Sequence, residues 1–252
     1  MIEIRDLTLG YHKSPPVLKA LSLCIGKGEV VSILGPNGCG KTTLLRALLR
    51  FLPAPHGRLY LDGRPLEKIT RRDLARRLTY VPQHHHGVFN YPVLDVVLMG
   101  RTAASPRLRF SAEDYDLAKA ALERVRLGHL AKRSYLELSG GERQLVLIAR
   151  ALAQNCAGLI MDEPASSLDY GNQFHLLDLI GELSADGPAI ILTTHQPEQA
   201  VYVGGRAVLL EDGRLIADGP AKSVITPGRV RDLYRLPEKA GAWLRLTGAS
   251  AL

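Results

Sequence analysis

Apolar residues repeat along the chain with two different periods, and the succession of strands and helices that they predict is typical of an α/β fold. Segments 2–7 and 17–23 alternate with a period near two, which predicts strands. Residues 29–34 form a β-branched run of the kind found in buried parallel strands. Leucines at helical spacing follow in segment 42–52, and Pro53 should end that helix. This part of the chain is therefore predicted to form a strand, a glycine-rich loop and a helix.

The middle of the chain, from about residue 92 to 138, is predicted to be helical and without a strand. Ser111, followed three residues later by Asp114, resembles a capping box, and the helix behind it should run to Arg126. Segment 101–110 is predicted to be a loop before that helix. The predicted buried face of the helix consists of Tyr115, Leu117, Ala121, Leu122 and Val125.

After residue 140 the alternation of helices and strands returns. The predicted elements are helices at 142–154, 172–185 and 197–203, and strands at 158–161, 189–193, 206–210 and 214–218. Asp212 and Gly213 between the last two strands are typical of a hairpin turn. The predicted architecture is α/β with an all-helical insertion.

Composition narrows the class of protein. The 252 residues are 46% hydrophobic and 23% charged, which is ordinary for a globular chain and unlike a disordered one. No apolar run approaches the roughly 20 residues that span a bilayer, and the N-terminus lacks the apolar stretch of a signal peptide. We therefore expect a cytoplasmic chain. Three widely spaced cysteines, Cys24, Cys39 and Cys156, argue against a disulfide framework.

The charge is more informative than the hydrophobicity. The formal net charge is +7 and the isoelectric point is near 9.4, with basic residues concentrated at 71–77 and 101–109. Such a surplus is compatible with nucleic acid, an anionic membrane surface or phosphorylated ligands. Composition alone leaves the partner open.

A glycine-rich loop lies between the predicted strand at 29–34 and the helix that follows. It matches the phosphate-binding pattern G-x-x-x-x-G-K-[ST] in the strand–loop–helix context that supports this interpretation. Successive backbone N–H groups of such a loop surround phosphates, Lys41 neutralises the β- and γ-phosphate oxygens, and the Thr42 hydroxyl binds Mg²⁺. The candidate nucleotide-binding residues here are Gly35, Pro36, Asn37, Gly38, Cys39, Gly40, Lys41, Thr42 and Thr43.

Two acids end the apolar strand predicted at 158–161. Asp162 can hold Mg²⁺, directly or through water, and Glu163 can polarise the water that attacks the γ-phosphate. An acidic pair after a strand is a weak signal by itself. Together with the upstream phosphate loop it predicts a nucleotide-hydrolysing site.

Segment 138–144, with Ser139, Gly140, Gly141 and Glu142, resembles the signature sequence of the ATP-binding cassette (ABC) ATPases. A serine and two glycines at a helix start offer a hydroxyl, free N–H groups and the positive end of the helix dipole, which makes a second phosphate receptor. One nucleotide has little need of two such receptors in one chain, so we expect a head-to-tail dimer. In the family, each ATP lies between the phosphate loop of one subunit and the signature of the other.

The resemblance covers essentially the whole chain and implies further roles. It assigns Tyr11 to stacking on adenine, Gln83 to Mg²⁺ and the attacking water, Asp169 to the loop crossing the dimer interface, and His195 to the γ-phosphate. The implied fold is an α/β P-loop NTPase with a RecA-like core, an antiparallel β subdomain and an inserted α-helical subdomain. As one domain, it would have its core at 1–90 and 140–237, the helical insertion at 91–139 and a short tail at 238–252.

Segments 91–101, 169–173 and 193–197 are similar to the ATPase subunits of metal-chelate importers, for iron–siderophore, haem or cobalamin, and of a molybdate or tungstate branch. The resemblance implies ATP and Mg²⁺ as cofactors, and a second copy, two membrane permease subunits and, indirectly, a substrate-binding protein as partners. It places the chain at the cytoplasmic face of the inner membrane. The alternatives are an ABC exporter subunit, a catalytically dead interaction module, and a soluble ABC ATPase acting on nucleic acid or ribosomes. Because soluble ABC proteins usually carry tandem cassettes or a coiled coil, no nucleic-acid partner is expected.

Two smaller hypotheses come from single residue types. The run His84, His85 and His86 could ligate a transition metal, but three consecutive imidazoles rarely face one ion, so we expect it beside the membrane partner. Alkylation of Cys39 is expected to block ATP by filling the phosphate site.

Overall fold

The structure is a computed structural model that describes residues 1–11, 14–54, 56–83, 90–103, 109–184, 187–238 and 240. Its strands are β1 (Ile2–Leu9), β2 (Leu18–Ile25), β3 (Val30–Leu34), β4 (His56–Leu61), β5 (Arg64–Pro65), β6 (Leu78–Val81), β7 (Gly158–Asp162), β8 (Ala189–Thr194), β9 (Arg206–Glu211) and β10 (Arg214–Pro220). Its α-helices are α1 (Lys41–Leu48), α2 (Arg71–Ala75), α3 (Val93–Leu98), α4 (Ala112–Arg124), α5 (Gly140–Ala153), α6 (Tyr170–Ser184), α7 (Pro197–Val203), α8 (Ala221–Val224) and α9 (Pro227–Leu233). Short 3₁₀ turns occupy Leu66–Lys68, Met99–Ala103, Gly128–Leu130 and Tyr135–Glu137.

A six-stranded sheet in the order β10-β9-β3-β8-β7-β6 forms the centre of the molecule. Its strands run parallel except β10, which pairs antiparallel with β9. Strands β3, β7 and β8 are buried along their whole length, which explains their continuous apolar sequences. Because β3, β8, β7 and β6 are parallel neighbours, the loops after them emerge at one edge of the sheet.

A second, antiparallel sheet has the order β2-β1-β4-β5. Its buried side chains, such as Ile4 and Leu23, belong to one apolar cluster with Leu44 and Leu45 of α1 and Ile33 of β3. This cluster therefore fixes the antiparallel sheet and α1 against the central sheet. The α/β prediction is confirmed, and the antiparallel sheet matches the implied β subdomain.

Helices α3, α4 and α5 pack together on the other side of the molecule. Buried side chains of these helices share one cluster with Leu159 and Met161 of β7. The capping box at the start of α4 is confirmed, because Ser111 Oγ accepts from the Asp114 amide and the Asp114 carboxylate accepts from the Ser111 amide. The domain boundaries at residues 90, 140 and 237 stay predictions.

The structure corrects three details of the predicted elements. Tyr115, which was predicted to lie on the buried face of α4, is 39% exposed, whereas Asp114, which was not predicted there, is buried. Arg101 lies in a 3₁₀ turn and not in a loop, and its side chain is only 12% exposed because it pairs with Asp114. Helix α1 ends at Leu48, four residues earlier than predicted, and Arg50 just beyond it has a left-handed φ of 56°.

Within the described ranges, no helix has the length and apolar composition that crossing a bilayer requires. His84, His85 and His86 and most of the tail at 238–252 lie outside the described residues, so the hypotheses about them stay predictions.

Candidate functional site

The predicted site residues of the core follow the carboxyl ends of four neighbouring strands. The phosphate loop follows β3, Gln83 follows β6, Asp162 and Glu163 end β7, and His195 follows β8. This edge of a parallel sheet is where α/β proteins place their ligands. The topology thus brings together motifs that are more than a hundred residues apart in the sequence.

The phosphate loop has the backbone that its glycines permit. Gly38 and Gly40 have φ values of 82° and 109°, in the left-handed region that disfavours side chains. A Cβ at Gly40 would also lie 2.6 Å from a methyl carbon of Leu18. The loop leads into α1 at Lys41, whose ammonium group donates hydrogen bonds to the carbonyls of Gly35 at 2.6 Å and Pro36 at 3.3 Å. Lys41 is thereby held over the loop with only 6% of its side chain exposed.

Glu163 is the point at which the candidate catalytic side chains meet. Gln83 Nε2 donates to Glu163 Oε2 at 2.9 Å, and His195 Nδ1 lies 3.1 Å from the same oxygen. Lys41 Nζ lies 4.0 Å from the other oxygen, Oε1. Glu163 is 10% exposed and has a left-handed φ of 46°, a strained backbone of the type that clusters at functional sites. Four residues selected from separate motifs thus form one contact network.

Asp162 lies beneath this network and is 3% exposed. Its Oδ1 accepts a 2.6 Å hydrogen bond from the hydroxyl of Thr193, which also accepts from the Glu163 amide at 2.9 Å. Thr193 is therefore a positioning residue for both acids. Sequence reasoning missed this role, and the available signal was only its place at the end of β8, two residues before His195. Burial, together with the nearby Asp162 charge, raises the pKa of Tyr80 to about 12, so that phenol stays protonated beside the site.

The residues predicted to hold Mg²⁺ are Thr42, Gln83 and Asp162. A hydroxyl, an amide oxygen and a carboxylate are the oxygen donors that suit Mg²⁺, which binds to few protein ligands alongside phosphates and water. Thr42 lies in the first turn of α1 and Asp162 ends β7, at the same edge of the sheet. Gln83 uses its amide nitrogen towards Glu163, so its oxygen stays available for such an ion. The donor set therefore fits Mg²⁺.

Tyr11 lies beside the helix that carries the phosphate loop. Its hydroxyl is 3.3 Å from Thr43 Oγ1 and accepts a hydrogen bond from Arg46 at 3.3 Å. The residue is 40% exposed. These contacts place a partly exposed aromatic ring next to the loop, in keeping with the predicted adenine contact.

Cys39 faces the protein interior. It is 3% exposed, it belongs to the apolar cluster with α1, and burial raises the pKa of its thiol. A Cβ at Gly35 would lie 2.5 Å from its sulfur, so the thiol fills the space behind the loop. The thiol is thus buried behind the loop, and the block of ATP binding by alkylation of Cys39 stays a prediction. The Cys39 backbone remains part of the loop.

The signature residues form the N-terminal cap of α5. Ser139 Oγ accepts from the Glu142 amide, and the Glu142 carboxylate accepts from the Ser139 amide at 2.7 Å. The hydrogen bond from the Ser139 amide makes the largest contribution to lowering the pKa of the Glu142 carboxyl. The Glu142 carboxylate is thus used in the cap, while the first-turn N–H groups of Gly140 and Gly141 begin the helix.

The loop before α6 lies against this cap. A Cβ at Gly141 would approach the Ser167 carbonyl to 3.4 Å, and Asp169 accepts hydrogen bonds from both the amide and the side chain of Asn172. Among the hydrogen bonds and ion pairs of the described residues, none joins Ser139 or Asp169 to the phosphate loop. The structure thus brings the core residues together and leaves the signature group apart from them within one chain.

Comparisons with known proteins give the relatives of this chain. The sequence model of the ABC transporter family matches residues 18–166. The chain is 37% identical to a hemin import ATP-binding protein of Hahella chejuensis, with 88% of both chains covered. It is 35% identical to a molybdate import ATP-binding protein of Haemophilus influenzae, covering 94% of this chain and 88% of that one. A solved dimeric bacterial ABC transporter cassette superposes with a TM-score of 0.79 at 28% identity, covering 88% of this chain and 99% of that one.

Proposed function

Since this chain belongs to the ATP-binding proteins of the ABC transporter family, we propose that it hydrolyses ATP to drive a separate membrane importer. The observation that carries the catalytic part is the convergence of Lys41, Gln83 and His195 on Glu163 at the end of the central sheet. The family resemblance and the ATP-binding fold of the relatives support the rest.

In the proposed reaction, Lys41 and the N–H groups of the loop bind the phosphates, and Tyr11 contacts the adenine. Glu163 accepts a proton at its carboxylate from the attacking water. His195 and Gln83, which already contact Glu163, keep that carboxylate oriented and contact the γ-phosphate and the water. Thr42, Asp162 and Gln83 would hold Mg²⁺, which would supply positive charge against the phosphates.

The active unit in this proposal is a head-to-tail dimer. The start of α5 has first-turn N–H groups and the positive end of a 14-residue helix, and no hydrogen bond or ion pair of the described residues joins it to the phosphate loop of its own chain. A second copy can bring its own ATP to Ser139, Gly140 and Gly141, with the Asp169 loop beside them. The solved structure of a related cassette is a dimer, which supports a dimeric active unit.

Substitution of Glu163 by Gln tests the catalytic proposal. Losing a general base should reduce ATP hydrolysis by a factor on the order of 10²–10⁴, because the amide binds similarly but does not take the proton. In the presence of ATP, a stable dimer should then accumulate, and analytical ultracentrifugation measures its amount. Glu113→Gln, an exposed acid in α4, serves as the control and should keep wild-type turnover. Near-normal hydrolysis by Glu163→Gln would contradict the assignment.

The membrane partner is proposed to dock in a groove of about 530 Å³ between the core and the helical segment. The groove is lined by the residues just after α1, by α2, β6 and α5, and by the turn after α3. Its apolar lining includes Phe51, Leu74 and Met99. Phe51 and Met99 are 63% and 42% exposed, so their apolar surface is available to a partner. Strand β6 leads directly from this groove to Gln83, which offers a path from docking to the site.

Co-purification from detergent extracts tests this partner. The wild-type chain should bring a multi-spanning permease, and Phe51→Asp should lose it because a charge replaces an apolar contact in the groove. Tyr115→Asp, at an exposed aromatic position on α4, is the matched control and should keep the permease. ATP hydrolysis by the isolated chain should be unchanged in both variants. Retention of the permease by Phe51→Asp would contradict docking in this groove.

The cargo proposed is a metal chelate or a molybdate-type oxyanion, in line with the hemin and molybdate import functions of the two relatives. The chain would work at the cytoplasmic face of the cell membrane, with two permease subunits and, indirectly, an external substrate-binding protein. Core residues 1–90 and 140–237 would bind the nucleotide, and the insertion at 91–139 would transmit closure to the permease.

A further inference from the structure

More than half of the net charge of the chain is concentrated in fourteen residues. Segment 64–77 contains six basic and two acidic side chains, a net charge of +4 out of the +7 of the whole protein. None of these side chains belongs to the proposed nucleotide site. The segment comprises β5, a 3₁₀ turn and α2, so its charge is gathered on one small part of the surface.

Four of the six basic side chains surround a pocket of about 580 Å³. We name it the basic pocket and define it by Arg64, Lys68, Arg76 and Arg77, with Asp73 as the acidic residue in its lining. Around this concave space Arg77 pairs with Asp62 at 2.7 Å and Arg76 lies 4.0 Å from Asp73, so Arg64 and Lys68 carry the uncompensated positive charge. The pocket therefore has the electrostatics of an anion-binding site.

The basic residues of the pocket divide into a fixed pair and a free pair. Arg77 pairs with Asp62 at 2.7 Å, and Arg76 donates to the Ala103 carbonyl at 3.0 Å, so both guanidinium groups are held in place. For Arg64 and Lys68, which are both exposed, the described residues provide no ion pair and no side-chain hydrogen bond. The fixed pair gives the pocket a preorganised wall, and the free pair can close on a ligand.

We propose that the basic pocket binds a phosphate-bearing anion. The guanidinium fork matches the geometry of phosphate oxygens, and lysine adds a mobile point charge. The headgroup of an anionic phospholipid and a soluble polyphosphate share this chemistry.

The position of α2 favours the lipid source. Arg71, Leu74 and Ala75 line the proposed permease groove, whereas Asp73, Arg76 and Arg77 line the basic pocket. A ligand in the pocket would thus lie beside the membrane subunit, and this step alone rests on the proposed function. Phosphate binding by the pocket itself does not depend on it.

A charge-matched pair of double variants tests the proposal. Arg64→Gln/Lys68→Gln removes the free pair, and Lys222→Gln/Arg235→Gln removes the same charge from exposed positions near the C-terminal helices. Binding is measured to vesicles of equal parts phosphatidylglycerol and phosphatidylcholine, and to sodium pyrophosphate by calorimetry. A non-hydrolysable ATP analogue with Mg²⁺ is present throughout, so that the phosphate loop is filled.

The pocket variant is expected to bind the anionic vesicles about 30-fold more weakly, since each basic residue near such a surface contributes a factor of about five. The control should lose no more than about twofold. Loss of pyrophosphate binding in the pocket variant, with vesicle binding unchanged, would support the same site with a soluble ligand. Equal losses in the two variants, or no binding of either probe by the wild type, would overturn the proposal.

Hydrolysis of ATP by the same proteins distinguishes a failure of the proposed ATPase function from a failure of the basic pocket as an anion site. Neither variant touches the nucleotide site, so both should hydrolyse ATP as the wild type does. A wild-type chain without hydrolysis would refute the proposed function and leave the vesicle result valid.

Discussion

The Arg101 side chain connects helices α4 and α5 and offers a quantitative test of the structure. Arg101 donates from Nε to Asp114 at 2.8 Å, and from its terminal nitrogen to the carbonyls of Ala153 at 2.9 Å and Gln154 at 3.3 Å. One guanidinium therefore neutralises the Asp114 carboxylate in the first turn of α4 and donates hydrogen bonds to backbone carbonyls at the end of α5. Its side chain is 12% exposed and that of Asp114 is 5% exposed.

Arg101→Met should destabilise the fold by about 3–5 kcal/mol, the usual cost of removing one partner of a buried ion pair. The lower end is expected, because Asp114 keeps its hydrogen bonds from the amide and hydroxyl of Ser111. Urea unfolding at neutral pH measures the difference. The control is Arg133→Met, whose pair with Glu137 is largely exposed and should contribute less than about 1 kcal/mol. Equal losses in the two variants would refute the reasoning.

The same pair predicts a pH dependence. The hydrogen bond from Arg101, followed by the bond from the Ser111 amide, lowers the pKa of Asp114 to about 2 from a usual 3.8. A carboxyl with a lowered pKa stabilises the fold fully above its unfolded value and loses that contribution as the pH falls towards the folded value. The stability difference between wild type and Asp114→Asn should therefore be constant above about pH 5 and shrink between pH 4 and 2. A difference that grows on acidification would contradict this.

Three further predictions concern the nucleotide site. Tyr11→Ala should weaken ATP binding by about 1–3 kcal/mol, the range for a base stacked on an aromatic ring. Fluorescence titration measures the affinity, and an unchanged affinity would contradict the adenine contact. Thr193→Val should lower the rate of hydrolysis more than ATP affinity, because it removes the hydroxyl that positions both acids. Leaving those buried hydrogen-bonding groups without their partner costs about 1–3 kcal/mol. Iodoacetamide should modify exposed Cys24 well before buried Cys39, as peptide mass spectrometry would reveal, and the reverse order would contradict the described burial.

Sequence patterns were most reliable where a whole element is buried. The fully buried strands β3, β7 and β8 and the hairpin of β9 and β10 were predicted within one or two residues. Segment 53–90 gave no prediction of β4, α2 or β6. Helix α2 has five residues and β6 has four, which is too short for a periodic pattern, and β6 is fixed by its pairing with β7.

The site residues could be selected from the sequence, but their contacts could not. Glu163 and Gln83 are 80 residues apart, and Glu163 and His195 are 32 apart, so only the parallel order of the strands brings them together. Asp114 illustrates a different limit, because a hydrophobicity pattern assigns a carboxylate to solvent. Its burial depends on Arg101, a partner 13 residues away whose approach no local pattern indicates.

Each ATP site is proposed to be composed of two chains, and mixing two inactive variants decides whether it is. Lys41→Ala inactivates the phosphate loop, and Ser139→Arg blocks the start of α5, so each variant alone should be unable to hydrolyse ATP. In a mixed head-to-tail dimer, the intact phosphate loop of one chain faces the intact signature of the other. Hydrolysis should therefore reappear on mixing, whereas activity no greater than the sum of the separate variants would show that one chain alone forms the site.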